Sequence, residues 1–375
     1  MKIVVISATY NEKGNIERLI NIIETEVFPK IKNHETQLLI ADDNSPDGTG
    51  DMVRKLMKKW KNLSIDSGER KGLGAAYLRA INFAIKKFNA DVVFEIDADL
   101  SHDPREIPNF LKKMEEGYDI VTGTRYSQGG SMPKNWPIHR KTFSVIGNLL
   151  IKIITCRFYI YDWTGGFRAI KKEVFLKEKD KLSKFQGYTF QVAFLYKALL
   201  DGYKVGHVPI HFTDRTLGRS KIAPLEYIVS LLKYVISERI RELMLGKFGK
   251  FLTVGGVGFT LNAIVLRTLV ETFRWHPASA NLAGAVVAIF SNYNFNNIWT
   301  FSDRKSSSIF SYFKKLIGFY ASSATGVIFI QTGTIFIGTN LFGKRYYFVY
   351  FLVGTFFLLI WNFTMYSKVI WRRKK

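Results

Sequence analysis

Residues 247–375 of this 375-residue chain contain 15 Lys and Arg but only two acids, Glu271 and Asp303. A soluble domain needs both signs of charge at its surface; long apolar runs almost without carboxylates belong in lipid. The preceding residues, 1–246, hold 54 − 15 = 39 basic and 31 − 2 = 29 acidic residues, a net +10. The chain therefore reads as two parts built for different solvents. Its 47% hydrophobic and 15% aromatic content excludes a disordered chain. A single cysteine, Cys156, excludes a disulfide scaffold and a multi-cysteine zinc site.

Four apolar stretches follow Lys250, at 251–273, 278–300, 316–340 and 347–368. Each approaches the ~20 residues that a spanning helix needs. Small residues recur in them (Gly255, Gly256, Gly258, Ser322, Ser323, Gly326), which suits close packing in lipid. Arg304, Lys305, Lys314 and Lys315 crowd one loop, and Arg372, Arg373, Lys374 and Lys375 the tail. Counting positive charge then puts residues 1–246 and both termini on the cytoplasmic side of a multi-pass protein. Met1–Ser7 is too short an apolar run for a signal peptide. Within 223–246, Leu225, Ile228, Leu231, Leu232, Val235, Ile236, Ile240 and Leu243 recur at helical spacing. That pattern fits an amphipathic helix on the membrane surface, and equally the last helix of a soluble domain packed on its own core.

In the first part, β-rich runs at 2–7, 37–41, 63–66, 91–96 and 118–123 alternate with helical stretches near 14–27, 47–60, 72–88 and 105–116. The alternation predicts an α/β fold with a mostly parallel sheet, whose ligands bind beyond the strands' carboxyl ends. Those ends are rich in polar groups: Tyr10, Asn11 and Glu12; Asp42 to Asp47; Arg70 and Lys71; Asp97 to Ser101; Thr124, Arg125 and Tyr126. One acid after a strand is an ordinary helix cap. Five consecutive ends of this kind read as a site.

Asp97-Ala98-Asp99 is its chemical centre. If the strand continues, Asp97, Asp99 and Ser101 share one face. Close carboxylates repel unless a cation lies between them, and Mg²⁺ or Mn²⁺ shared with substrate phosphates fits. Alone, a DxD triplet is a weak signal; its place at the end of a buried strand strengthens it. Arg125, Arg140, Arg215 and Lys221 lie in polar, Gly- or Pro-flanked segments rather than on helix faces, and their side chains suit phosphate oxygens. No nucleic-acid motif accompanies the positive charge. Residues 140–155 form an apolar helical pattern with Lys141 and Lys152, for the membrane or for the core. His102, His139, His207 and His211 have no metal spacing and read as structural.

These motifs, in order, resemble the dolichyl-phosphate mannose synthases of glycosyltransferase family 2. The resemblance rests on Thr9-Tyr10-Asn11-Glu12, Asp42–Thr49, Gly72–Tyr77, Asp97–His102, Gly123–Tyr126, Trp136-Pro137 with Arg140, Gly165–Arg168, Gly187–Gln191, and Asp214-Arg215 with Gly218 and Ser220-Lys221. It covers nearly all of 1–222. Residues 247–375 are similar to GtrA-like four-helix membrane domains, chiefly through Phe251–Gly258 and Asn292–Phe301.

The resemblance implies a GT-A catalytic domain over 1–222, an interface helix over 223–246 and a four-helix membrane domain over 247–375. It implies inverting transfer of mannose from GDP-mannose to dolichyl or another polyprenyl phosphate, with a divalent metal. Ala8, Tyr10, Glu12, Ala41 and Asp43 would line the nucleotide pocket. Asp97, Ala98, Asp99 and Ser101 would hold metal and diphosphate. Arg125 and Arg140 would hold the acceptor phosphate, and Arg215 and Lys221 would close on the donor. Ala8 stands where the family has proline, and Ser101 where some relatives have glutamine. A polyprenyl-phosphate glucosyltransferase using UDP-glucose is an alternative. So is a lipid-sugar flippase or scaffold without catalysis. A processive polysaccharide synthase would need a Gln-x-x-Arg-Trp helix, which only Glu271–Trp275 approaches.

Overall fold

The computed structural model describes residues 1–182, 185, 187–214, 225–275 and 277–372. The chain divides into two compact units, Met1–Ser237 and Glu238–Lys375.

The first unit is built on seven strands: β1 (Lys2–Thr9), β2 (Glu35–Asp42), β3 (Leu63–Ser67), β4 (Val92–Asp97), β5 (Ile120–Thr124), β6 (Arg168–Lys171) and β7 (Val205–Pro209). Their order is β3-β2-β1-β4-β6-β5-β7. All pairings are parallel except those of β6, which runs antiparallel between β4 and β5. The mostly parallel sheet follows from the alternation with helices α1 (Lys13–Ile22), α2 (Thr49–Leu56), α3 (Leu73–Phe88) and α4 (Ile107–Glu115). Helices on both faces require strands that are apolar on both sides. In β1, Ile3 and Val5 join one core with α1 and α4, while Val4 and Ile6 join the other with α3.

Four helices complete this part: α5 (Ile138–Thr155), α6 (Lys172–Glu178), α7 (Gly187–Leu200) and α8 (Leu225–Leu245). Helix α5 leaves Ile138, Phe143, Ile146, Leu149 and Ile153 exposed, and Phe158 and Tyr159 just beyond it are exposed too. Helix α8 spans the division between the units. Leu231 and Val235 on it pack into the α3 core, while Val229, Ile236, Ile240 and Leu243 stay exposed. One face of this helix is thus packed in the core, and the other is exposed.

Among the described residues, the second unit holds the end of α8 and four helical rods. The first is α9 (Lys247–Glu271); the second is α10 (Pro277–Phe295), continued by a π-helical turn, Asn296–Thr300. The third joins α11 (Ile309–Thr325) through π-helical Gly326–Thr332 to α12 (Gly333–Phe342); the fourth is α13 (Tyr347–Met365) with π-helical Tyr366–Ile370. Asn292 packs onto Gly258, and Asn262 onto Gly284, so α9 and α10 interlock where a Cβ would collide with the opposing amide. Phe251, Tyr293, Phe301, Phe319, Tyr366 and Trp371 form an aromatic core at one end. Among the described residues, Lys247–Glu271 and Leu352–Ile370 are long and apolar enough to cross a bilayer. The other two rods carry Asn292, Asn294, Asn296 and Asn297, or Lys314 and Lys315, which lower their hydropathy.

Two buried ionisable residues are register partners in the sheet. Glu95 of β4 is paired across the antiparallel ladder with Arg168 of β6. Arg168 is fully buried and donates to the carbonyls of Trp163 (3.2 Å), Gly165 (2.9 Å) and Gln191 (2.7 Å). Burial lowers its pKa to about 10, against the pull of Glu95, so it stays cationic. Burial pushes Glu95 up to about 7, against the Arg168 charge. A carboxyl raised in the folded state stabilises the fold while protonated, and this contribution is lost as pH rises from the ordinary value of 4.5 towards about 7. Glu95→Gln is therefore expected to flatten the decline of the thermal midpoint across that pH window. An unaltered slope would mean that another group titrates there.

Candidate active site

The parallel register lays Asp66, Ala41, Ala8 and Asp97 in one row across β3, β2, β1 and β4. The predicted residues converge because parallel strands deliver their carboxyl ends to one edge. The loops beyond turn sharply: Asn11, Asn44 and Leu100 have φ of 62°, 51° and 62°. Asparagine tolerates this left-handed region; leucine there is strained, a cost that ordinarily marks a functional turn. Asp42 and Asp47 are spent on loop structure. Asp42 accepts from Ser45 Oγ (2.6 Å) and Thr9 Oγ1 (3.2 Å), and Asp47 from Thr49 Oγ1 (2.6 Å) and Lys13 N (3.1 Å).

On the β2 side, Asp43 is nearly buried and accepts from Arg79 Nη1 at 3.0 Å, while Arg79 Nε donates to Asp66 at 2.8 Å. Burial raises the Asp43 pKa, opposed by Arg79. Arg79 was not predicted; on helix α3 it has the look of an ordinary solvated side chain. The Arg70 guanidinium lies 3.8 Å over the Tyr10 ring. Glu12 accepts from Asn15 Nδ2 at 2.8 Å at the start of α1. Ala41 is wholly buried among the α3-side core residues, so its side chain faces away from solvent.

At the centre, β4 ends at Asp97 and the chain turns, so the extended geometry expected for 97–101 does not continue. Asp99 folds back to accept from Ser101 N at 2.9 Å. Asp97 is about one-third exposed at 32%, whereas Asp99 is buried. Gly166 lies beside Asp97, where a Cβ would sit in ordinary contact, 3.7 Å from its Oδ1. His102 is buried against Phe167 and Phe212, with Nδ1 3.5 Å from Asp97 Oδ2. Burial lowers its pKa despite the two aspartates, so it is neutral at pH 7. Its place behind Asp97 is one that no sequence spacing could reveal.

The phosphate-suited side is organised by Asp162, whose segment reads from sequence only as a turn followed by an extended run. Arg125 donates from Nε to Asp162 Oδ2 (2.8 Å), from Nη2 to Asp162 Oδ1 (2.9 Å), and to Thr164 Oγ1 (2.9 Å). Asp162 is fully buried. Burial alone would raise its pKa, but Arg125's charge and hydrogen bonds, with the Thr164 N–H, hold it below the ordinary carboxylate value. Arg140 lies in the first turn of α5, at the start of the helical pattern read over 140–155, and stacks 3.8 Å over Trp136. Arg215 and Lys221 fall outside the described residues.

The chain matches the Glycosyl transferase family 2 model over residues 4–178, and the GtrA/DPMS transmembrane domain model over 250–371. It is 31% identical over 339 residues to a dolichol-phosphate mannosyltransferase of Pyrococcus furiosus, covering 88% of both chains. This protein is a family 2 glycosyltransferase. It is also 34% identical over 221 residues to a polyprenol monophosphomannose synthase of Mycolicibacterium smegmatis, covering 58% of this chain and 80% of that one. The solved glucosyl-3-phosphoglycerate synthase of Mycobacterium tuberculosis, with Mn²⁺ and UDP, is 18% identical; it covers 63% of this chain and 77% of that one at a TM-score of 0.44.

The glycosyltransferase's residues fit a hard divalent cation. Asp97 and Asp99 offer carboxylate oxygens, and the buried Ser101 Oγ has no hydrogen-bond partner among the described residues. Such a buried oxygen calls for a partner. No described group of three or more His, Cys, Asp or Glu forms a cage, so a cation here would need ligands from elsewhere, such as substrate phosphates. For the Arg125 pair, removing one partner strands a buried charge. Asp162→Asn is expected to cost about 3–5 kcal/mol of stability and to slow transfer; Thr164→Ala should cost only about 0.5–1.5 kcal/mol. Denaturation and initial rates on both variants check this. Equal, small losses would contradict the buried-pair reading.

Proposed function

We propose that this glycosyltransferase moves mannose from GDP-mannose to the phosphate of dolichol or a related polyprenol at the cytoplasmic face of a membrane, with inversion. The observation that carries this reading is the arrangement of charge along the strand ends. Carboxylates suited to a diphosphate-bound cation lie at Asp97 and Asp99, a firmly held guanidinium lies at Arg125, and the exposed apolar face of α5 begins next to Arg140. The names of the Pyrococcus and Mycolicibacterium relatives support mannose and a polyprenol acceptor.

Asp97, Asp99 and Ser101 would hold Mg²⁺ or Mn²⁺, which when bound supplies charge neutralisation to the donor's diphosphate. Ala8, Tyr10, Glu12, Ala41 and Asp43 would border the nucleotide, with Ala41 acting through its backbone and Arg79 keeping Asp43 oriented. Ala98 would pass the diphosphate, and Arg215 and Lys221 would add positive charge to the donor side. The acceptor is a phosphate monoester, already anionic at pH 7, so it attacks the anomeric carbon without a strong general base. The obstacle is repulsion between two anionic substrates. Arg125 and Arg140 lower it by binding the acceptor phosphate in a fixed place, as preorganised electrostatics.

The membrane part accounts for the acceptor's long hydrocarbon tail. In this reading residues 1–222 form the catalytic domain, 223–246 the interface helix and 247–375 a four-span bundle with both termini cytoplasmic. The apolar residues of α5, with Lys141 and Lys152, would rest in the headgroup layer and bring Arg140 to the depth of the lipid phosphate.

Initial rates with GDP-mannose and with UDP-glucose, using one polyprenyl phosphate and the full chain in lipid, test the donor. GDP-mannose is expected to be the better substrate; preference for UDP-glucose would make the chain a glucosyltransferase. Asp99→Ala is expected to abolish transfer while the protein stays folded. Near-normal activity in that variant would remove the metal from the mechanism.

A further inference from the structure

The two guanidiniums on the acceptor side are held very differently. Arg125 is gripped by two short bonds from a fully buried carboxylate, Asp162, at 2.8 and 2.9 Å. Arg140 instead meets Asp214 through an ion contact of 3.6 Å, with side-chain exposures of 24% and 32%. The first pair cannot part without leaving a buried charge unpaired. The second is partly exposed to water, where an ion pair contributes less and exchanges partners more readily.

Asp214 is itself well placed. Its Oδ1 accepts from Trp136 Nε1 at 3.2 Å and its Oδ2 from Asn135 Nδ2 at 3.4 Å. Trp136 in turn carries the Arg140 guanidinium on its face. Thr213 ties the same segment to the aspartate turn: its N–H donates to the Ser101 carbonyl (3.1 Å) and its Oγ1 to the Leu100 carbonyl (3.1 Å). Phe212 packs edge-on against Trp136 and His102. Residues 212–214 therefore touch the donor-side turn and the acceptor-side arginine at once.

We propose that the Asp214 carboxylate is an internal stand-in for the acceptor phosphate: it holds Arg140 on Trp136 until the phosphate of the acceptor takes its place. Asp214 is a positioning residue in this role, acting on the acceptor through Arg140. A phosphate monoester brings more charge than one carboxylate and offers the oxygens that a guanidinium fork prefers. The exchange replaces one anion on the Arg140 guanidinium by another. Asp214 stays satisfied after the exchange by Trp136, Asn135 and water. The stand-in keeps Arg140 oriented and competes with the substrate for it.

This rests on the assignment of Arg140 to the acceptor phosphate. Asp214→Asn removes the charge but keeps an oxygen to accept from Trp136, and Asp214→Ser serves the same purpose should the first variant not fold. In the full chain in lipid, Asp214→Asn is expected to lower the acceptor KM by roughly two- to five-fold, with the donor KM changed less. In an Arg140→Gln background the same substitution should no longer change the acceptor KM. An acceptor KM that is unchanged or raised by Asp214→Asn, in a protein whose Arg140→Gln variant binds acceptor more weakly, overturns the stand-in alone. If Arg140→Gln leaves the acceptor KM unaltered, the underlying assignment of Arg140 fails, and the stand-in with it.

Discussion

The grip of Asp162 on Arg125 is the contact on which the rest of the site depends. Both oxygens of a fully buried carboxylate are used to fix one guanidinium. The turn that carries Asp162 is pinned by Arg168 through the carbonyls of Trp163 and Gly165. Arg168 is balanced in the sheet by Glu95, two residues before Asp97. Ionisable groups thus run from the phosphate-suited arginine, through the core, to the aspartate turn. A low-dielectric interior makes each link strong only while its neighbours are in place, so the two sides of the site are positioned as a unit.

The part of this that could be read in the sequence is the part that parallel strands encode locally. Strands β1, β2 and β4 are runs apolar on both faces, and their ends line up whatever the loops do. That is why Asp43 and Asp97 could be named at the strand ends before their register was known, whereas Ala8 was named only through the family resemblance. Strand β6 is only four residues long and begins with a charged residue, so Arg168 and its neighbours read as a turn and an extended run. Asp162 lies 37 residues from Arg125, and no local pattern joins them. The left-handed Leu100, which ends the extended geometry inside the Asp97–Ser101 motif, follows from tertiary packing and not from any leucine preference.

The membrane unit was legible in outline for a simpler reason, the near absence of acids. Its detail was not. Reciprocal packing of Asn292 on Gly258 and of Asn262 on Gly284 shows why amides recur in otherwise apolar helices. Small residues let two backbones approach, and an amide fills the space across the seam. Polar residues that weaken the hydropathy signal are thus part of what holds the hairpin together.

The claim beneath all of this is that Asp97 and Asp99 carry a divalent cation jointly with a diphosphate. Electron paramagnetic resonance of Mn²⁺ titrated into the full chain, with and without GDP, tests it most directly. Two carboxylates alone should hold Mn²⁺ weakly, and GDP should tighten it by about tenfold or more, an effect of roughly 1.4 kcal/mol. GDP should in turn bind more tightly when Mn²⁺ is present, by the same factor. Mn²⁺ affinity indifferent to GDP, in a protein that still binds GDP, would contradict it.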